Sequence, residues 1–159
     1  RYSQDNISIT LLNSIGEWNN HKKEISKKNI DIIDLYIKER FTNIPKYGFL
    51  KSRFSYWVIF FSSFFSLKKI LKKNKPDFLI IHLLTSLPII LNFFFKFDTK
   101  IILRISGHPK LNIFRKFLWK HLGKGLTKIV CPTEQTKKFL VDNKIFEDKK
   151  IYVLKDPII

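Results

Sequence analysis

The sequence predicts an α/β fold built on a mostly parallel sheet. Short apolar runs of strand length alternate with longer helical segments along the whole chain of 159 residues. Parallel strands need such helical crossovers, which are right-handed in nearly all proteins. The chain is 45% hydrophobic, enough for a sizeable core, and its 5 Gly and 6 Pro leave little room for long flexible tracts.

The first part of the chain predicts two strands and two helices. Residues 7–12 form a β-rich apolar run and predict a strand, and the polar residues 18–28 predict a surface helix. Residues 30–37 alternate loosely between apolar and polar and predict a second strand, followed by a loop around 43–48. Residues 53–73 are the longest helical segment, apolar on nearly all sides at first and amphipathic towards the end.

The middle of the chain continues the alternation. Residues 78–83 are continuously apolar, which is typical of a central parallel strand. A helix that runs to about Phe95 is predicted to follow, capped by Thr85 or Ser86. Residues 100–106 predict the next strand. Beyond it, residues 110–122 predict a helix, because four apolar side chains share one face: Leu111, Phe114, Leu118 and Leu122.

The last part of the chain predicts two further strands around one helix. Residues 128–131 predict a short strand, and residues 151–154 predict the last one. Between them, Thr133 is predicted to cap a helix over 135–143, with Glu134 in its first turn, where a negative charge suits the helix dipole. No repeat or interior boundary interrupts the order, so we expect one domain over residues 1–159.

The net charge of +17 has two interpretations. One is a basic face for an anionic partner, and the other is the Lys-rich composition that AT-rich genes produce. The charge is uneven, because Asp77 and Asp98 are the only acids between Arg40 and Thr133. Cys131 is the only cysteine, so no disulfide forms within the chain, which fits a reducing compartment.

The apolar stretch at 54–67 is too short for a membrane-spanning helix. It covers about 21 Å as a helix, against about 30 Å of hydrocarbon. The basic segment 51–75 around it contains seven basic residues and no acid, with aromatic residues that we expect to be buried. It predicts either docking on an anionic membrane or a core helix with a solvated Lys tail, and no motif supports nucleic-acid binding. The membrane-facing candidates are Lys51, Arg53, Lys68, Lys69, Lys72 and Lys73.

Candidate functional residues lie where strands end. In open α/β sheets, ligands bind at the carboxyl ends of the strands, which selects the turns at 82–86, 104–109 and 131–134. In the first turn, His82 is either a core histidine or a ligand contact. Ser86 is either a helix cap or part of an anion site at a helix start.

The second turn contains the most side chains that could contact a ligand or take part in catalysis. Arg104 is charged within an apolar strand, which is costly unless the charge is paired with a carboxylate or a ligand. Gly107 permits a positive φ or a close ligand approach, and Ser106 and His108 add a hydroxyl and a titratable ring. The alternative is an ordinary strand-to-helix turn.

Several common catalytic motifs are absent. The chain contains no Gly-rich phosphate loop, no HExxH and no GxSxG, and one cysteine does not make a zinc cluster. The sequence therefore does not support a P-loop NTPase, a zinc hydrolase or a serine hydrolase.

Four segments together resemble the N-terminal half of family 4 glycosyltransferases. They are KPDFLIIHLLTSLPIIL, KIILRISGHPKLNIFRKFLWK, KIVCPTEQTKKFLV and KIYVLKDPII, in the same order and spacing as in that family. These are retaining enzymes of the GT-B fold. The subset that this chain resembles builds bacterial surface polysaccharide or lipopolysaccharide.

The resemblance implies a Rossmann-like domain with helices on both faces of its sheet. It implies that this domain holds a sugar or lipid-linked acceptor and that its first strand is missing. A C-terminal domain, also missing here, would bind a UDP- or GDP-sugar donor, without a metal. The expected enzyme is a cytoplasmic hexosyltransferase, peripheral on the inner membrane face and inactive as this fragment. The alternative is a non-catalytic basic module that binds anionic membrane or polymer.

The same resemblance implies roles for the residues at the three turns. His108 and Arg104 are the expected catalytic pair. The other residues expected to bind acceptor or substrate are Ser106, Gly107, His82, Ser86, Thr133 and Glu134.

Overall fold

The α/β fold class is confirmed, with two parallel sheets in two compact units, residues 1–69 and 70–159. The computed structural model describes residues 7–14, 16, 18–35, 49–82 and 85–155, and for 49–56 the backbone alone. The predicted loop at 43–48 lies outside the described residues. The single-domain organisation stays a prediction.

The first unit contains a two-stranded parallel sheet. Its described elements are β1 (Ile9–Asn13), α1 (Lys22–Ser26) and β2 (Ile30–Asp34), with Ile9 of β1 opposite Ile30 of β2. Asn13 at the end of β1 is completely buried, and its side-chain amide donates to the Asp34 carboxylate at 2.7 Å. The long helix α2 (Phe49–Lys73) follows, and its last four residues belong to the second unit.

The second unit contains four parallel strands in the order β3-β4-β5-β6, each joined to the next by a helix. The strands are β3 (Phe78–Ile81), β4 (Lys100–Arg104), β5 (Lys128–Cys131) and β6 (Ile151–Val153). The helices between them are α3 (Ser86–Phe95), α4 (Ile113–His121) and α5 (Glu134–Asp142).

The core of the second unit lies on one face of this sheet. A row of aligned buried residues crosses all four strands: Ile81, Leu103, Ile129 and Ile151. α3, α4 and α5 complete the same core with Ile89, Leu118, Trp119 and Leu140. Side chains alternate across a strand, so the intervening residues lie on the other face of the sheet. There Phe78, Ile80 and Tyr152 remain largely exposed.

Some helix boundaries differ from prediction for local reasons. α4 begins at Ile113 because the Asn112 side chain caps it, accepting from the Arg115 backbone N–H at 2.7 Å. The prediction that Thr85 or Ser86 caps α3 is wrong. Thr85 stands at the N-cap position with a helical backbone. Among the described residues, its side chain makes no capping hydrogen bond and the buried Ser86 hydroxyl has no hydrogen-bond partner. A side-chain cap requires an extended backbone at the capping residue.

Within the part of the chain that the structure describes, no helix combines the length and the apolar character needed to cross a bilayer.

Candidate functional site

The predicted site residues lie along the carboxyl edge of the four-stranded sheet. All four strands point the same way, so the turns that follow β3, β4 and β5 share this edge. Backbone pairing continues to the edge itself, where Ile105 N–H donates to Val130 at 2.8 Å and Leu154 N–H donates to Cys131 at 2.9 Å. The described residues at this edge include His82, Ser86, Arg104, Ser106, Gly107, His108, Thr133 and Glu134.

Arg104 is the last residue of β4, opposite Val130 of β5. Its neighbours Leu103 and Ile105 are both buried in the core. Alternation along the strand therefore places the Arg104 side chain on the other face of the sheet, where it is partly exposed. A guanidinium in this position, at the end of a strand, suits a carboxylate or phosphate ligand.

The turn after β4, which we call the β4 turn (residues 104–109), holds its shape through Gly107 and His108. Gly107 has φ = +85°, and among the described residues other than its chain neighbours no atom lies within 4 Å of the position that a Cβ would occupy. Backbone conformation, and not lack of space, therefore favours glycine there. The exposed His108 ring packs on the Phe139 ring of α5, with 4.2 Å between centroids. Ser106 is exposed beside them.

The start of α5 forms as predicted. The Thr133 hydroxyl accepts a hydrogen bond from Thr136 N–H at 3.1 Å and lies 3.0 Å from the Thr136 hydroxyl. Glu134 is exposed in the first turn. The Thr133 hydroxyl is therefore occupied by capping, and its role in substrate binding stays a prediction, as does that of Glu134.

The residues after β3 differ from each other in accessibility. His82 is exposed just beyond the end of the strand. The Ser86 hydroxyl is buried inside the first turn of α3. Ligand contacts through both residues stay predictions, and for Ser86 the hydroxyl must first become accessible.

Sequence reasoning missed two contacts at this edge. Phe139 supports the His108 ring, and neither spacing nor composition pairs a residue on α5 with the β4 turn. Cys131 ends β5 in the core, with its thiol 3.6 Å from the Thr133 carbonyl oxygen and 3.7 Å from that of Tyr152. In the described part of the chain, no three His, Cys, Asp or Glu residues are grouped so as to bind a metal ion.

The Cys131 thiol is expected to be unreactive in the folded protein. Burial raises its pKa above the ordinary value of 9.0, and the nearby Glu134 carboxylate adds to this effect. The thiolate is the reactive form, so a disulfide reagent at pH 8 should modify Cys131 only as the protein unfolds.

The same shift predicts a pH dependence of stability. The unfolded thiol loses its proton near pH 9.0 while the folded thiol retains it, so its stabilising contribution is complete below that pH. The contribution then falls as the pH rises through the folded pKa. Urea denaturation of wild type and Cys131→Ala at several alkaline pH values should show the steeper decline in wild type. Parallel declines would contradict the prediction.

No protein-family model, curated protein or solved structure matches this chain. The assignment of a function therefore depends on the residues and geometry of the carboxyl edge.

Proposed function

We propose that this chain is the acceptor-side part of a retaining glycosyltransferase. The enzyme would transfer a sugar from a nucleotide-sugar to a surface-polysaccharide or lipid-linked acceptor. The supporting observation is the β4 turn, where a partly exposed arginine, a positive-φ glycine and an exposed histidine occur within five residues at the carboxyl edge of a parallel sheet. Parallel α/β sheets bind ligands at this edge.

The proposed chemistry assigns one role to each side chain. Arg104 contacts a phosphate and offsets the charge that develops on the leaving nucleoside diphosphate. His108, held by the Phe139 ring, hydrogen-bonds a hydroxyl of the sugar or acceptor. The UDP- or GDP-sugar donor would be bound by a further domain outside these 159 residues.

Helix α2 supports the proposal that this protein works at the inner membrane face. Its rings at Trp57, Phe61 and Phe65 follow each other at four-residue spacing and are each more than half exposed. The expectation that the aromatic residues of this segment are buried is wrong for these three. Of the membrane-facing candidates, Lys69, Lys72 and Lys73 are exposed and Lys68 is partly exposed; the side chains of Lys51 and Arg53 lie outside the described residues.

The second candidate function is a module that binds anionic membrane or polymer without catalysis. The exposed aromatic rings and lysines of α2 favour it, because neither feature requires chemistry.

A His108 variant separates the two functions. The product of the complete gene is incubated with UDP-glucose or GDP-mannose and a bacterial membrane-lipid extract, and nucleoside diphosphate release is measured. His108→Ala should lower the rate by about 10²-fold if its hydrogen bond assists transfer. His21→Ala is the matched control, because His21 is an exposed histidine outside the four-stranded sheet. Equal rates in both variants would contradict the role of His108, and vesicle binding without any transfer would favour the module.

A further inference from the structure

The outward side of α4 is unexpectedly apolar. Its inward side packs into the core through Leu118 and Trp119. On the other side, Ile113 is 90% exposed, Phe114 60% and Phe117 57%. A surface helix of a globular protein normally presents polar residues there.

These three residues form one continuous strip, which we call the α4 strip (Ile113, Phe114 and Phe117). Ile113 and Phe117 are four residues apart and Phe114 and Phe117 three, which are the spacings of neighbours on a helix surface. The His121 ring continues the strip by packing on Phe117, with 4.8 Å between ring centroids.

The chain segment that contains the α4 strip carries charge of one sign. Lys116 and Lys120 are exposed on the adjoining side of the helix, and the neighbouring helix α3 carries no charged residue. No acid occurs between Asp98 and Glu134. That segment contains eight basic residues: Lys100, Arg104, Lys110, Arg115, Lys116, Lys120, Lys124 and Lys128.

We propose that the α4 strip docks on the surface of an anionic lipid bilayer. Ile113, Phe114 and Phe117 insert at the boundary between headgroups and acyl chains, while Lys116 and Lys120 contact the anionic headgroups. Aromatic and aliphatic side chains on one side of a helix with lysines beside them are the composition of helices that lie in the membrane interface.

The charge of the chain favours a bilayer over a second copy of the chain as the partner of the α4 strip. Two copies meeting through this helix would bring two lysine-rich surfaces together, each on a chain with a net charge of +17. An anionic bilayer instead complements the lysines and takes up the apolar strip.

Docking through α4 would also orient the β4 turn. The Arg115 guanidinium donates to the Lys110 carbonyl oxygen at 3.0 Å, which ties the segment that follows this turn to the first turns of α4. The carboxyl edge would then lie close to the headgroups. The docking itself does not depend on glycosyl transfer, because it needs only the exposed strip and its lysines.

Vesicle sedimentation tests this surface. The purified chain is mixed with neutral vesicles of phosphatidylcholine alone or with anionic vesicles that contain about 30% phosphatidylglycerol. Wild type should sediment with the anionic vesicles, and Phe114→Ser/Phe117→Ser should lower the bound fraction about tenfold. Lys116→Gln/Lys120→Gln should weaken the preference for anionic over neutral vesicles.

The matched control is Phe93→Ser/Phe94→Ser. This pair removes two exposed phenylalanines of α3 that do not belong to the α4 strip, and its binding should equal that of wild type. An equal loss in both Phe pairs would overturn the proposal. A loss seen only in Trp57→Ser/Phe61→Ser would place binding on α2 and overturn it as well. A second copy would be the partner of the α4 strip if the wild-type chain forms a dimer and binds no vesicles, and if Phe114→Ser/Phe117→Ser dissociates that dimer.

A labelled variant gives an answer even if the serine variants do not fold. Phe117→Cys can be labelled selectively with an environment-sensitive fluorophore, because the other thiol, Cys131, is buried. The proposal predicts a rise in fluorescence with anionic vesicles and not with neutral ones. Unchanged emission with both vesicles would overturn it.

Discussion

Leu103→Ala is expected to lower the free energy of unfolding by about 3 kcal/mol or more. Leu103 is completely buried in β4 and lies between Ile81 of β3 and Ile129 of β5 in the row that crosses the sheet. Truncation removes apolar contacts on both sides and leaves a cavity that two neighbouring strands hold open. Urea denaturation followed by circular dichroism measures the loss.

Ile102→Ala is the matched control for this prediction. Ile102 precedes Leu103 on the same strand, but its side chain is on the other face of the sheet and is partly exposed. We expect a loss of about 1 kcal/mol for this variant, since little cavity forms at a partly exposed site. If Leu103→Ala does not fold, Ile129→Val tests the same row with an expected loss of about 1 kcal/mol. Equal losses for the two alanine variants would show that the core is not confined to one face.

The strands of the second unit were predictable because each is a short apolar run between polar turns. β5 has the predicted bounds, Lys128–Cys131, and β4 begins at the predicted Lys100. β4 ends earlier than predicted, at Arg104, and Gly107 with its positive φ lies in the turn that follows. Glycine content alone does not reveal which glycine adopts that conformation.

Burial within helices was harder to predict than the helices themselves. The spacing in α4 placed Phe114 on the buried face with Leu118, yet Phe114 is exposed and Leu118 is buried. Asn112 starts the helix late, so Phe114 falls in its first turn. On α2, a helix that is apolar on nearly all sides gives no pattern from which to choose the exposed rings. Helix exposure depends on which elements pack against it, and sequence periodicity does not contain that information.

The sequence predicted that the candidate residues lie at the carboxyl edge of the sheet, but it did not predict the contacts between their side chains. Parallel strands bring their carboxyl ends together, so Arg104 and Thr133 were expected at one edge from strand assignment alone. The packing of His108 on Phe139 joins two segments about 30 residues apart and depends on tertiary structure. The same is true of the buried Ser86 hydroxyl, which was expected at the surface of a helix start.

Arg104→Ala in the complete gene product is expected to reduce sugar transfer by about 10²-fold or more. The guanidinium is the fixed positive charge of the β4 turn, and transfer develops negative charge on the leaving diphosphate. The side chain is partly exposed on the face opposite the core, so the free energy of unfolding should change by less than about 1 kcal/mol. Nucleoside diphosphate release and urea denaturation measure the two effects separately.

Two further variants of β4 test whether transfer depends on the positive charge of Arg104 or on the planar shape of its guanidinium. Arg104→Lys keeps the charge but lacks the planar fork that binds phosphate through two hydrogen bonds, so it should restore only part of the activity. Lys100→Ala is the matched control, because Lys100 lies on the same face of β4 at the opposite end of the strand, with its ammonium 5.4 Å from the Phe78 ring centroid. It should transfer sugar at the wild-type rate. Wild-type activity in Arg104→Ala would remove this residue from the site, and the support for a transferase would then rest on His108 alone.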